Sequence, residues 1–192
     1  MALTVTTQPT AEPVSVDEAK QHLNLLNNDH DTYIASLIKT ARRKCESYTR
    51  QACMPTTFEE VFFCWPKYYF ELSRSPLVSV DVVSYIDSAG ASQTLAATEY
   101  TYDAKSRPGR FIRGHEKTLP TLRVTGVASP VAVEYQAGHA TADLCPEEIK
   151  HAIKLLVGQW FQVRESAAQV NFRETPHAVD DLLSSAMHGE YP

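Results

Sequence analysis

Residues 146–165, with the sequence PEEIKHAIKLLVGQWFQVRE, decide the fold predicted for this chain. Their apolar residues recur at helical spacing, and three more widen the stripe: Ile149, Ala152, Ile153, Leu156, Trp160 and Val163, with Leu155, Val157 and Phe161. Pro146, Glu147 and Glu148 suit the start of a helix. A helix that is apolar over most of its circumference must be covered on most sides. The stretch therefore predicts a central core helix, and the alternative is a core helix that also builds an oligomer.

Two helices are predicted before it. Ser15 and Glu18 fit a capping box, which begins a helix over residues 15–26. An apolar stripe at helical spacing predicts a second helix over residues 30–49. Its other side is crowded with cations: Lys39, Arg42, Arg43 and Lys44. Such a charge run is typical of a solvated face, and contact with a phosphate or an acidic partner is the alternative.

The pattern changes to short runs of β-branched and aromatic residues over residues 56–136. Gly, Pro, Asp or Ser separate these runs, and residues 87–90, Asp-Ser-Ala-Gly, look like a hairpin turn. An antiparallel β unit is therefore predicted between the second helix and the central one. We expect residues 122–124 to form one of its strands.

The complete prediction is an α+β fold. It is a small helical bundle with two N-terminal helices, a long central C-terminal helix over 146–165 and a short last helix over about 178–187, carrying the inserted antiparallel β unit. A single domain is expected over residues 14–166. Residues 1–13 are polar and are predicted to be a flexible arm, and residues 167–192 are predicted to be a C-terminal tail.

Composition excludes several classes of function. The 192 residues carry a formal net charge of −5, so a general nucleic-acid binder is not expected. The first thirteen residues lack the basic start and apolar core of a signal peptide, and no apolar run is long enough for a membrane span. The four cysteines are spaced for no zinc module and are expected to be free thiols.

Motifs for catalysis are missing from the sequence. It contains no HExxH, GxSxG, phosphate-binding or dinucleotide-binding motif, and no two histidines are spaced four residues apart on a helix. Two alternatives stay open. One is a hydrolase site assembled from loops, drawing on Asp103, His115, His139 and Asp143. The other is a binding module for a carbohydrate or a tail protein that uses Trp65, Tyr68 and Tyr69, for which ordinary sheet packing is the simpler interpretation.

Five segments in order carry a family resemblance. They are residues 13–23 (PVSVDEAKQHL), 45–49 (CESYT), 133–138 (VEYQAG), 146–160 with Arg164 and Glu165, and 176–183 (PHAVDDLL). Together they resemble the head–tail connector, or adaptor, family of tailed double-stranded DNA bacteriophages, in the longer branch with a β unit after the second helix. The resemblance covers roughly half the chain, namely its helical parts.

The resemblance implies a structural role without catalysis or cofactor. Connector subunits form a homo-oligomeric ring, expected to be dodecameric, on the portal protein, and they prepare the DNA-filled head for a stopper or tail-completion protein. DNA passes through the channel without sequence-specific binding. The protein is then expected in the virion neck, made in the host bacterial cytoplasm. We expect the subunit and portal contacts at one set of residues: Lys39, Arg42, Arg43, Arg164, Phe172, Val179, Leu182 and Leu183. We expect the segment from Ala167 to dock on the portal protein.

Overall fold

The fold is described from a computed structural model, which covers residues 2–123, 125–162 and 177–187. These residues form two compact units. One contains Met1–Pro9 and Pro55–Gly138 and is called the β unit, and the other contains Thr10–Met54 and His139–Pro192 and is called the helical unit. The α+β class and the antiparallel insertion between helices, as predicted from the sequence, are confirmed. Among the described residues, every helix is too short or too polar to cross a bilayer.

The described residues of the helical unit form four helices: α1 (Val16–Leu23), α2 (Asp31–Thr49), α3 (Glu147–Gln162) and α4 (His177–Ala186). Helix α3 packs against the other three. The side chains of Ile149, Ile153 and Leu156 are fully buried, and Val157 is 1% exposed. Trp160 and Phe161 are partly buried at the edge of the same core. The broad apolar surface of α3 is therefore covered mainly by helices of the same chain.

The end of α1 is set by backbone geometry. Asn24 adopts a left-handed conformation with φ of 56°. Its N–H donates to the carbonyl of Gln21 at 3.2 Å, and the N–H of Leu25 donates to the carbonyl of Lys20 at 3.0 Å. These bonds close the helix in the manner of a Schellman motif. The helix therefore ends three residues before the predicted position 26.

In the described part of the β unit there are eight strands: β1 (Ala2–Thr7), β2 (Thr56–Phe62), β3 (Tyr69–Glu71), β4 (Leu77–Ile86), β5 (Ser92–Thr94), β6 (Tyr100–Asp103), β7 (Arg110–Arg113) and β8 (Val131–Ala137). One antiparallel sheet has the order β1-β2-β8-β4-β5 and the other β3-β7-β6. The two sheets meet where the ring of Phe62 stacks on Phe70, with centroids 3.9 Å apart. At the predicted turn, Gly90 has φ of +92°, a conformation that favours glycine.

Two expectations for the β unit need correction. The predicted flexible arm is wrong over Ala2–Thr7, because these residues form β1 and pair with β2 from Ala2↔Val61 to Thr7↔Thr57. Threonine and valine suit a strand even where their side chains are exposed, and this signal was outweighed by the polarity of the stretch. The predicted strand over residues 122–124 is also absent at Leu122, which makes a single isolated bridge with Asp87; Val124 lies outside the described residues.

Candidate subunit and partner interface

The predicted basic surface of α2 divides into an exposed and a buried part. Lys39, Arg43 and Lys44 are exposed, and we call them the α2 basic face. Arg42 is only 2% exposed, so its predicted position on the outer surface is wrong. Its Nε lies 2.6 Å from Glu12 Oε2, and its Nη1 lies 2.8 Å from Glu46 Oε2. Arg42 therefore forms ion pairs within the chain.

The local sequence contains the reason for this burial. Arg42 follows Ile38 by four residues and Ile34 by eight, so it lies on the border of the buried stripe of α2. Burial acts to lower the pKa of Arg42, but the charges and hydrogen bonds of Glu46 and Glu12 outweigh it and raise the pKa above its usual value. Glu46 also accepts the N–H of Cys53 at 3.0 Å. The guanidinium thus joins α2 to the segments before and after it.

Exposed carboxylates lie at or near the starts of α1 and α3, two helices that pack together. Asp17, Asp143, Glu147 and Glu148 are exposed there, and we call these four the acidic patch. Lys150 connects the two helix starts, because its Nζ lies 2.5 Å from Glu147 Oε1 and its charge is also close enough to Glu18 to raise the pKa of Lys150. The sequence predicts Glu147 and Glu148 at a helix start and leaves Asp143 as a candidate for a hydrolase site, but it does not show that α1 and α3 pack together.

The predicted C-terminal contact residues are placed differently from the expectation. Val179 is fully buried and Leu183 is 1% exposed, and both belong to the core of the helical unit. They therefore do not present a free surface for the portal. Leu182 is partly buried against the same core. Arg164 and Phe172 lie outside the described residues.

The aromatic cluster of the β unit is exposed only in part. Tyr68 is 64% and Tyr69 47% exposed. The Nζ of Lys67 lies 5.3 Å from the ring centroid of Tyr68, and the guanidinium of Arg110 lies 4.6 Å from that of Tyr69. Trp65 is half-buried and donates its indole N–H to the carbonyl of Pro120 at 2.8 Å. The three rings thus do not form one exposed stacking surface.

The residues considered for a hydrolase site are divided between the units. Asp103 and His115 belong to the β unit, and His139 and Asp143 belong to the helical unit. Asp103 accepts hydrogen bonds from the Ser106 hydroxyl at 2.5 Å and the Lys105 N–H at 2.8 Å, which lower the pKa of its carboxyl. Asp103 thus stabilises its own turn. Within the described part of the chain, no three His, Cys, Asp or Glu side chains are placed to hold a metal ion.

Comparison with known proteins supports the family resemblance. Residues 13–71 match the family model described as the phage gp6-like head–tail connector protein. This segment runs from the start of α1 through α2 to β3 and so includes the α2 basic face. Over this segment, the match agrees with the predicted resemblance to phage head–tail connectors. No curated protein sequence matches the chain.

Solved structures share the fold over its full length. One match is a chain in the neck of an empty gene transfer agent particle computed with C6 symmetry, with 20% identity and a TM-score of 0.79. A second is in the virion of the native gene transfer agent particle, with 21% identity and a TM-score of 0.79, and a third is in the native neck computed with C12 symmetry, with 20% identity and a TM-score of 0.75. Each alignment covers 100% of this chain and 98% of the matched chain. At this level of identity, the likeness shows that the fold is shared.

Proposed function

We propose that this chain is a structural neck protein that forms a ring on the portal and connects the DNA-filled head to the tail or to a stopper protein. The observation that carries the proposal is the fold shared over the whole chain with subunits of particle necks. The connector match over residues 13–71 supports it independently. The ring is dodecameric, and the protein is made in the host bacterial cytoplasm and acts in the virion. The role is structural and not enzymatic, and it requires no cofactor.

The ring interface joins two different surfaces. A closed ring of identical subunits uses head-to-tail contacts, so each subunit needs two complementary patches. The α2 basic face and the acidic patch are exposed and opposite in charge, and both belong to the helical unit. Complementary charges favour the correct partner and register more than they add affinity. We therefore place the α2 basic face of one subunit against the acidic patch of the next.

Charge reversal tests this interface. The variant K39E/R43E places two carboxylates on the α2 basic face, and we expect it to reduce ring assembly on the cognate portal at least tenfold, as measured by electron microscopy of mixtures. The control K105E/R107E makes the same change in net charge at two exposed residues of the β unit. Adding D143K/E148K to K39E/R43E should restore part of the assembly. Unchanged assembly of K39E/R43E would contradict the interface.

Portal docking is proposed for the segment from Ala167. Val179 and Leu183 hold α4 in the helical unit, so α4 serves as the anchor of this segment. Replacing residues 167–176 with a Gly/Ser linker of equal length should abolish portal binding and leave the melting temperature nearly unchanged. Full portal binding by that variant would place the contact elsewhere. If neither the linker variant nor the parent chain forms a complex with an intact portal, the proposed function itself is wrong.

A further inference from the structure

Strand β1 is an outer strand of the five-stranded sheet. In the described part of the chain it is paired on one side, with β2. Every second residue of an outer strand directs its N–H and carbonyl away from the sheet, so β1 offers main-chain donors and acceptors to a further strand. Proteins usually protect such an edge with charged side chains or proline. Residues 2–8, with the sequence ALTVTTQ, contain neither.

The side chains of β1 are also open beyond this edge. Leu3 is opposite Glu60 and Val5 is opposite Phe58, and cross-strand partners share one side of a sheet. Leu3 and Val5 therefore lie on the core-facing side of the sheet. Val5 is nevertheless 40% exposed, and Leu3 is half-buried. Thr4, between them, lies on the other side of the sheet and is exposed.

We propose that β1 is a pairing site for the β1 strand of a second copy of this chain, in antiparallel register about a two-fold axis at Thr4. In this register Thr4 faces Thr4 of the second copy, and Leu3 faces Val5 of the second copy. Among the two-fold registers open to Ala2–Thr7, this one places both apolar side chains opposite apolar partners and keeps the core-facing sides together. The two five-stranded sheets then form one continuous sheet.

The absence of charge in the β1 sequence favours a second copy over a charged partner. A two-fold axis through a strand brings identical side chains together at its centre, and like charges directly opposite each other are destabilising. The neutral β1 sequence avoids this repulsion. Strand β5, at the other end of the sheet, has only three residues, and short edges pair poorly.

The contact is short and therefore weak. The register of β1 with β2 shifts between Val5 and Thr7, so the regular edge ends there. A contact made by one short strand lies at the low end of protein interfaces in area, and such interfaces are transient. We expect the pair to form and separate in solution and not to be a permanent dimer.

The role of the pair rests on the proposed function. A two-fold contact joins two copies and cannot continue into a closed ring, which uses head-to-tail contacts. The pair is therefore a state of the free chain. It uses the β unit, whereas the proposed ring contacts belong to the helical unit. In the free chain, pairing covers an edge that otherwise favours aggregation.

Sedimentation velocity of the purified full-length chain between about 5 and 500 µM tests the pair, because weak dimers dissociate in this range. We expect a monomer–dimer equilibrium in the parent chain. T4K and T4E should each raise the dissociation constant at least tenfold, since each brings like charges together on the two-fold axis. An equimolar mixture of T4K and T4E should restore the dimer. T10K adds the same charge at an exposed residue outside β1 and should retain the parent constant.

Cross-linking tests the register. With Cys64→Ser, which removes the exposed thiol, Thr4→Cys should form an intermolecular disulfide under mild oxidation, because the two introduced thiols face each other. Thr6→Cys is the matched control and should link at least tenfold more slowly, since Thr6 faces Ala2 of the second copy in this register.

Four results would overturn the proposal: a parent chain that is monomeric throughout the concentration range, dimerisation of T4K equal to that of the parent, no dimer in the mixture of T4K and T4E, or faster linking of Thr6→Cys than of Thr4→Cys. Circular dichroism checks that each variant is folded, and the parent measurement needs no variant. The experiments use no portal, so their failure is distinct from a failure of portal binding.

Discussion

Arg42 shows how one side chain changes the interpretation of a helix surface. In the sequence it belongs to a run of cations, but in the structure its guanidinium is buried and paired with Glu12 and Glu46. The interface proposed for α2 therefore excludes Arg42 and keeps Lys39 and Arg43.

Replacing Arg42 with methionine should destabilise the protein. The change keeps most of the packed volume but leaves two partly buried carboxylates without their cation, which costs about 3 kcal/mol in the free energy of unfolding. The matched variant Arg43→Met, on the exposed side of the same helix, should change it by less than about 0.5 kcal/mol. Urea denaturation measures both values. Similar losses of unfolding free energy in the two variants would show that the burial of Arg42 does not make it more important for stability than Arg43.

A second buried polar group lies inside the β unit. Glu60 is fully buried and accepts hydrogen bonds from the Ser73 N–H at 2.9 Å and from the Tyr135 hydroxyl at 3.1 Å. Burial and the Glu60 carboxylate raise the pKa of Tyr135 well above its usual value. Folding therefore favours the protonated phenol, and this contribution is complete below the unfolded pKa of about 10 and is lost as the pH rises above it.

Tyr135→Phe should reduce the alkaline sensitivity of the fold. At neutral pH the variant loses the hydrogen bond to Glu60 and about 1–2 kcal/mol of stability. Between pH 10 and pH 11.5 its unfolding free energy should fall less steeply than that of the parent, because the phenol that resists ionisation is gone. Urea denaturation across this range gives the slopes. Tyr48→Phe, at a 42% exposed site on α2, should retain the parent slope.

At the scale of the element, local sequence sets the start of α1. The Ser15 hydroxyl accepts the N–H of Glu18 at 3.2 Å, and the Glu18 carboxylate accepts the N–H of Ser15 at 2.7 Å, which completes the predicted capping box. Hydrogen bonds from the Ser15 N–H and hydroxyl lower the pKa of Glu18. Its contribution to stability is therefore present above the unfolded pKa of about 4.3 and is lost as the pH falls.

Ser15→Ala should cost about 1 kcal/mol at neutral pH, since one helix-end N–H loses its acceptor. The cost should shrink as the pH falls through the lowered pKa of Glu18, because protonation removes the charge that the Ser15 hydroxyl stabilises. Thermal melts at pH 7 and pH 3.5 provide the comparison. Ser47→Ala, at an exposed position inside α2, is the control and should not lower the melting temperature. An equal effect of both substitutions would exclude a special role for the cap.

Helix α3 is the element whose pattern carried the fold. Its broad apolar surface predicted that other elements would cover it on most sides. Helices α1, α2 and α4 supply that cover within the helical unit. Packing within the chain therefore covers most of the apolar surface of α3 that also suggested an oligomer. The ring contacts proposed above consequently depend on charged side chains and not on this apolar helix.

At the scale of the whole molecule, assembly should depend on salt. Exposed charges on different subunits are screened as ionic strength increases, and the screening length falls to about 8 Å at 0.15 M and about 3 Å at 1 M. Ring formation on the portal should therefore decrease between about 50 and 500 mM NaCl. The remaining ring assembly of K39E/R43E should decrease less with NaCl than that of the parent chain. Salt independence of the parent ring would show that exposed charges do not form the contact.

Much of the architecture was predictable because it depends on short-range patterns. Helical periodicity marked α2 and α3, the capping box marked α1, and the Asp87–Gly90 turn has the glycine conformation expected of it. The N-terminal strand β1 was not predicted, because its partner Val61 lies far along the chain and its exposed side chains show no apolar alternation. Among the residues predicted for the interface, Lys39 and Arg43 are exposed, but the burial of Arg42 depends on packing and could not be predicted from the local charge pattern.

The sequence by itself determined the class of fold, the order of the helices, the place of the antiparallel insertion and the connector resemblance, since these follow from periodicity, capping and turn chemistry within a few residues. Only the tertiary structure decided which charges are exposed and which strand completes the sheet beside β2. Burial and contact depend on residues that are distant in the chain, and the pairing of such residues is set by packing of the whole unit.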